Sequence, residues 1–176
     1  ISEVLAKTGK LADLSQNPLE NMGFVEPIFS ATNRIFSDFL GIQVKEKSIN
    51  VRNPLTPKFD VTAFLGISNE TMEGQVILNM SGKLALHIYQ KLLGETLEEL
   101  NEQVRDSVGE ILNMITGNAK SEFSESHLYY HLSTPFVVVG KDQVIQNVGS
   151  TPFVSSAYWT SAGFFELSFA LSPKPV

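Results

Sequence analysis

The stretch from Asp106 to Lys120, DSVGEILNMITGNAK, lies within the longest helical pattern of the chain. Apolar residues recur there every three or four positions, in a stripe made of Leu100, Val104, Val108, Ile111, Ile115 and Ala119. Successive helical residues are rotated by about 100°, so these side chains share one face, which we predict to be buried. The opposite face is predicted to point outward and carries Gln103, Asp106, Glu110, Asn113 and Gly117.

Two features of this outward face suggest more than contact with solvent. Glu110 and Asn113 are three residues apart, which places their Cβ atoms about 5 to 6 Å from each other and lets both side chains address one target. Asn113 and Gly117 are poor helix formers, and Gly costs about 1 kcal/mol relative to Ala. Most polar helical faces do nothing but meet water, and that alternative stays open. Departures from local preference are nevertheless more frequent at functional sites.

Capping signals indicate where the helices begin and end. The pair Thr96 and Glu99 has the spacing of a capping box, which predicts that the long helix opens there and runs to about Ser126. A short amphipathic helix is predicted from Ser81, as its N-cap, to Gly94. An earlier helix is predicted over Leu19 to Leu40, stopped by Gly41. Pro27 suggests a first turn there, which would move the start of that helix to about Glu26.

The remaining segments are rich in Val, Ile and Phe and predict strands separated by Pro, Gly and Asn. These segments are Ile42–Asn53, Phe59–Ser68, Gly74–Met80, Tyr130–Ser133, Phe136–Val139, Val144–Val148, Phe153–Thr160 and Phe164–Leu171. The second and third are predicted to form one hairpin and the last two another. Strands interrupted by a block of helices predict an α+β fold, with a largely antiparallel sheet and helices packed on it.

Composition sets the limits on function. A chain of 176 residues with 43% hydrophobic content predicts one domain, which we assign to residues 17–176. Residues 1–16 are treated as an N-terminal extension that could come from an expression vector or a trimmed terminus.

The net charge of −6, without a basic run, argues against nucleic acid as a partner. The lack of cysteine excludes disulfides and thiol chemistry and favours the cytoplasm, and no apolar run is long enough to predict a membrane span.

The run from Asp106 to Lys120 closely resembles the active-site helix of the CheC/CheX/FliY family of chemotaxis phosphatases. The shared pattern is an acidic or polar residue, then Glu-x-x-Asn, and then Met, Gly and Asn-Ala-Lys. Weaker resemblance at Asn17-Pro18, at the run from Thr134 to Gly140 and at the terminal hairpin extends the similarity to about Asn17–Ser172. CheC-type members carry a second Glu-x-x-Asn on the first helix, where this chain has Glu-Pro-Ile-Phe from Glu26. The single motif is the pattern of CheX-type members.

This resemblance implies a CheC-like fold and hydrolysis of the aspartyl phosphate on a CheY-type receiver domain. The receiver would supply the phosphoryl group, Mg²⁺ and a lysine, so no cofactor or metal is expected on this chain. Asn113 would hold the attacking water in line with phosphorus, and Glu110 would pair with the receiver lysine. A homodimer formed through sheet edges is also implied. The residues expected to border the docking surface are Asp106, Ser107, Met114, Gly117 and Lys120.

Three alternatives compete with this interpretation. A non-catalytic interaction module of the same fold, in a flagellar switch or signalling complex, would not need Glu110 together with Asn113, so the pair favours the enzyme. A receiver other than chemotactic CheY would fit the same residues. His127 and His131 have the spacing of a helical metal pair, but no third ligand is evident and no metal site is predicted.

Overall fold

The structure is a computed structural model that describes residues 22–52, 55–125, 129–141, 143–145 and 151–174, except for the side chains of 22–24 and 123–125. Within these residues the helices are α1 (Met22–Arg34), α2 (Gly82–Leu93) and α3 (Glu102–Glu125). A π-helical turn, Ile35–Phe39, extends α1. Gly41 and Gly94 follow these helices with left-handed φ angles of 65° and 76°, so both predicted stops are confirmed.

The strands form one seven-stranded antiparallel sheet within the described residues. They are β1 (Lys45–Arg52), β2 (Val61–Ser68), β3 (Met72–Met80), β4 (His131–Leu132), β5 (Phe136–Val139), β6 (Phe153–Trp159) and β7 (Phe164–Pro173). Their spatial order is β1-β6-β7-β3-β2-β4, and β5 pairs with the other end of β2. The hairpins β2–β3 and β6–β7 and the α+β class are confirmed.

One predicted strand, Val144–Val148, is not formed in the part of it that the structure describes. In the segment Val144–Val148, Ile145 makes an isolated bridge to Leu55, and residues 146–148 lie outside the described part of the chain. The predicted N-terminal extension, residues 1–16, also lies outside it.

The main core lies between the helices and one face of the sheet. The apolar stripe of α3 is buried as predicted, because Val104, Val108, Ile111, Ile115 and Ala119 are all 0% exposed. A smaller cluster on the other sheet face contains Leu55, Phe64, Ile77, Phe153 and Ala170. This arrangement anchors α3 by its apolar side and leaves its polar face outward.

The prediction of a capping box at Thr96 was wrong. Helix α3 begins at Glu102, and Asn101 caps it, because its side-chain oxygen accepts a hydrogen bond of 3.1 Å from the Val104 N–H. Asn is a strong N-cap residue. Leu97 and Leu100 pack against the core from the segment before the helix, which explains why that segment is not helical.

The later start of α1 near Glu26, which Pro27 suggested, was wrong, and the predicted start at Leu19 lies outside the described residues. The helix already includes Met22, so Pro27 is its sixth described residue and does not mark the first turn. Proline removes one backbone donor near the helix start. Val25, Ile28 and Phe29 are buried on both sides of Pro27, and their packing holds the helical conformation despite that loss.

Ser81 precedes α2 as predicted, but its hydroxyl accepts a 3.3 Å hydrogen bond from the Phe164 N–H and makes no capping bond. The cap comes from Asp60, whose carboxylate accepts a hydrogen bond of 2.8 Å from the Gly82 N–H. This bond lowers the pKa of Asp60 below its usual value; partial burial opposes the shift, and Lys141, 3.0 Å away, adds to it. The charged form of Asp60 therefore stabilises the fold.

Replacing this cap, as Asp60→Ala, is expected to lower the free energy of unfolding by about 1 kcal/mol at neutral pH. Because the folded-state pKa is lowered, the charged carboxylate contributes fully above its ordinary value near 4, and that contribution is lost as pH falls below it. Urea unfolding at about pH 7 and pH 3 should show the difference between wild type and variant shrinking at acid pH. A difference that stays constant across this range would contradict the role of the charge.

Candidate active site

The polar face of α3 is exposed as the sequence predicted. Asp106, Glu110, Asn113 and Gly117 all face solvent, while the apolar side of the helix packs on the sheet. Within the described residues, no hydrogen bond or ion pair involves the side chain of Glu110 or Asn113. The Thr116 hydroxyl donates to the backbone carbonyls of Leu112, at 2.9 Å, and Asn113, at 3.1 Å, and leaves the Asn113 side chain untouched. A carboxylate and a carboxamide are therefore exposed side by side on the helix surface.

A groove of about 560 Å³ lies beside this pair. Its helical wall is formed by Glu102, Arg105, Asp106, Gly109, Glu110 and Asn113, and its second wall by Thr134, Pro135, Phe136 and Val137. A Cβ atom on Gly109 would lie 3.4 Å from Cγ2 of Val137, so the two walls meet closely at this glycine. Three carboxylates and one guanidinium line the groove, which favours a partner segment that carries positive charge.

The second wall is tied to β2. The Ser133 hydroxyl accepts a hydrogen bond of 2.8 Å from the Gly66 N–H, and the Ser133 N–H donates to the Gly66 carbonyl at 2.9 Å. Phe136 stacks on Phe64 with ring centroids 4.7 Å apart and an angle of 8° between the rings. These contacts fix the position of Thr134 to Val137 relative to α3. Sequence reasoning noted this run as part of the family resemblance but did not assign it to the site.

The residues predicted to border the docking surface differ in their exposure. Asp106, Gly117 and Lys120 are exposed, and no atom lies within 4 Å of the position a Cβ on Gly117 would take. Met114 is half-buried against the core. Ser107 is 7% exposed, and its hydroxyl donates a hydrogen bond of 2.7 Å to the Val104 carbonyl. A role in docking stays a prediction for all five residues. Only Asp106, Gly117 and Lys120 are exposed enough to contact another protein without rearrangement.

No group of three or more His, Cys, Asp or Glu residues that could hold a metal is found among the described residues. His131 is exposed on β4, and His127 lies outside the part of the chain that the structure describes. No helix in that part is both long and apolar enough to cross a membrane.

A family model described as chemotaxis phosphatase CheX matches residues 61–157, which is more than half of the chain. The chain belongs to the CheX family. The matched region includes β2, the whole of α3 and the second wall of the groove. Glu110 and Asn113 thus lie within the part of the chain that CheX proteins share. No significant match is found among functionally curated proteins.

Solved structures of CheX and CheC-like proteins have the same fold. CheX from Vibrio vulnificus is 28% identical, with a TM-score of 0.78, and the match covers 85% of this chain and 99% of the other. A CheC-like protein from Shewanella sp. PV-4 is 26% identical, with a TM-score of 0.80 and coverage of 86% and 99%. The CheX of a CheX–CheY–BeF3–Mg²⁺ complex from Borrelia burgdorferi is 19% identical, with a TM-score of 0.68 and coverage of 84% and 97%. The predicted CheC-like fold is confirmed.

Proposed function

We propose that this CheX-family chain hydrolyses the aspartyl phosphate of a CheY-type receiver domain. The observation that carries the proposal is the exposed pair Glu110 and Asn113, whose side chains make no hydrogen bond within the described residues. The family is one of chemotaxis phosphatases, and the Borrelia burgdorferi member is found in a complex with CheY and Mg²⁺. The receiver holds the phosphoryl group, the Mg²⁺ and a lysine, and this chain adds two positioned side chains.

In the proposed reaction a water molecule attacks phosphorus opposite the aspartyl oxygen. A P–O bond to water forms as the bond to the aspartate breaks, giving inorganic phosphate and a free carboxylate. Asn113 accepts a hydrogen bond from the water through its carboxamide oxygen and holds the water in line. Phosphoryl transfer depends mainly on positioning and electrostatics, so orientation alone contributes on the order of 10² to 10³ in rate.

Glu110 sets the register between the two proteins. A carboxylate close to a phosphoryl group is unfavourable unless a cation meets it, and the receiver lysine is that cation. Glu110 and Asn113 lie one helical turn apart, so docking of Glu110 on the lysine brings Asn113 beside the phosphoryl group. Binding and catalysis are thereby assigned to different side chains of the same face.

Phosphate release tests the proposal. The purified chain is mixed with a phosphorylated CheY-type receiver and Mg²⁺, and inorganic phosphate is followed over time. We expect release faster than from the receiver alone, with more than one turnover per chain. Release at the rate of the receiver alone, for several receivers, would refute the proposed activity.

The homodimer and the cytoplasmic location stay predictions. Light scattering in solution tests the homodimer.

Gly117→Ala is expected to separate stability from docking. The position is helical and exposed, and a Cβ there meets no atom within 4 Å, so the variant should be more stable by about 1 kcal/mol. If the receiver approaches closely at Gly117, the same methyl group should raise KM for the phosphorylated receiver. Thermal unfolding and initial rates measure the two effects. A stabilised variant with an unchanged KM would remove Gly117 from the docking surface.

A further inference from the structure

A second pocket, of about 370 Å³, lies on the sheet face that points away from α3. Residues directly opposite each other in an antiparallel sheet point to the same side. Four residues of the pocket form such a row across β3, β7, β6 and β1, namely Asn79, Glu166, Ala157 and Ser48. Ile77 precedes Asn79 by two positions and belongs to the smaller apolar cluster, so the row lies on the face away from the helices. The pocket is therefore separate from Glu110 and Asn113.

Three cationic side chains line this pocket, although the chain as a whole has a net charge of −6. They are Lys47, Arg52 and Lys58. Lys47 and Lys58 are exposed, and neither makes an ion pair within the described residues. Among the described lining residues the single carboxylate is that of Glu166, and it is bound to Arg52. The pocket thus carries an excess of positive charge, which attracts an anion.

Glu166 holds the guanidinium of Arg52 in position. Glu166 is 8% exposed, and Nη1 of Arg52 donates to both of its carboxylate oxygens, at 2.8 and 3.0 Å. The Nε and Nη2 groups of Arg52 make no hydrogen bond within the described part of the chain. A guanidinium that is fixed before binding and keeps free donors loses little entropy when it meets an oxyanion.

Aromatic rings form the rest of the lining. Trp159 is 50% exposed and meets Phe164 edge to face, with ring centroids 4.8 Å apart. Phe59 lies nearly parallel to Phe164 at 6.2 Å, and Asn79 holds it there by accepting a hydrogen bond of 3.0 Å from the Phe59 N–H. The Lys47 Nζ lies 5.7 Å from the centroid of the Trp159 ring. Positive charge and an exposed aromatic surface therefore adjoin in one pocket.

We propose that this pocket binds a nucleotide, with its phosphate held by the cationic side chains and its base on the exposed ring of Trp159. Arginine and lysine are the usual phosphate ligands, and every base can stack on an aromatic side chain. The volume is near the lower end of the range for pockets that hold small molecules, which suits a single nucleotide. The inference does not depend on the proposed phosphatase activity, because the two sites lie on different sides of the sheet.

Trp159 is the sole tryptophan of the chain, so its fluorescence reports on this pocket directly. The full chain is titrated with AMP, GMP, CMP and UMP, with excitation at a wavelength that nucleotides do not absorb, and calorimetry gives an independent Kd. We expect at least one nucleotide to change the emission, with a Kd below about 1 mM, and to bind about tenfold tighter than its nucleoside or inorganic phosphate. The affinity should fall with added salt, because it depends on contacts to phosphate.

Two variants divide the site into its charged and aromatic parts. By calorimetry, Lys58→Glu should raise Kd about tenfold and Trp159→Ala about fivefold or more. Each has a matched control that does not line the pocket: Lys91→Glu makes the same charge change on α2, and Phe39→Ala removes an exposed ring. Both controls should keep the wild-type Kd, apart from a small effect of long-range charge. Thermal unfolding shows whether each variant is folded.

The inference is overturned if none of the four nucleotides binds at about 1 mM, or if nucleotide and nucleoside bind equally. Inorganic phosphate bound as tightly as any nucleotide would also refute it, as would equal losses in Lys58→Glu and Lys91→Glu. If wild type binds no nucleotide and Trp159→Ala dissociates a dimer, a second copy of the chain covers this surface and the inference is wrong. Asn113→Ala should bind nucleotide as wild type does, so this site and the phosphatase activity are tested independently.

Discussion

Asn113→Ala is expected to lower kcat for receiver dephosphorylation by about 10² to 10³ and to leave much of the receiver affinity intact. The carboxamide is exposed and makes no hydrogen bond within the described residues, so its removal should not disturb the fold. Alanine is also the better helix former. Initial rates over a range of receiver concentrations separate kcat from KM, and the loss should appear in kcat.

Asn118→Ala is the matched control for this prediction. Asn118 is also exposed on α3, but it lies five residues further along, a rotation of about 140°, and its side chain donates a hydrogen bond of 2.9 Å to the Met114 carbonyl. We expect this variant to keep the wild-type rate. Equal losses in both variants would point to a general disturbance of the helix and not to a water held by Asn113.

Glu110→Lys is expected to abolish receiver binding and turnover together. The proposed contact joins Glu110 to the receiver lysine, and reversal of the charge would oppose two cations at a close interface, which costs several kcal/mol. The loss in affinity should therefore reach about 100-fold or more. Glu110→Ala removes the attraction without adding repulsion and should also lose binding and turnover, with the smaller rise in Kd. Titration with a receiver carrying Mg²⁺ and beryllium fluoride measures Kd for each variant.

Glu98→Lys makes the same change in net charge at an exposed position before α3 that does not line the groove. It should bind the receiver nearly as wild type does, apart from a modest effect of long-range charge that decreases with added salt. A receiver in which the lysine is replaced by glutamate should recover part of its affinity for Glu110→Lys. Normal binding of Glu110→Lys to the unchanged receiver would exclude the proposed ion pair.

The two faces of α3 could be predicted from sequence because the pattern is local. Apolar residues repeat every three or four positions from Leu100 to Ala119, and this period alone determines which side is buried. The start of the helix could not be predicted in the same way. Thr96 and Asn101 both offer caps, and the packing of Leu97 and Leu100 on the core favours the later start.

The groove could not be read from local pattern, because its walls come from separate parts of the chain. The segment from Thr134 to Val137 reaches α3 only because β5 pairs with β2 in a defined register. The strand pattern of Val137 predicts its conformation but not its neighbour across the groove, Gly109. The cap on α2 is a similar case, since Asp60 lies 22 residues from Gly82 and reaches it through the sheet.

The candidate functional residues also divide into those that the local pattern predicts and those that only the fold brings together. Helical spacing alone predicts that Glu110 and Asn113 adjoin on one exposed face, and the structure confirms their exposure. Their roles as docking and water-orienting groups come from the resemblance of the helix to CheX proteins, and they remain proposals. Arg105 and Val137 line the groove without belonging to any motif, and only the three-dimensional arrangement brings them together.

The most direct measurement of the proposed function is single-turnover loss of aspartyl phosphate from a labelled receiver, with the chain in saturating excess. Saturation removes differences in docking, so the observed rate reports the chemical step within the complex. We predict that the wild-type chain accelerates this step and that Asn113→Ala returns it most of the way to the rate of the receiver alone, a loss of about 10² to 10³. Equal rates for wild type and Asn113→Ala at saturation would contradict the proposed role of Asn113.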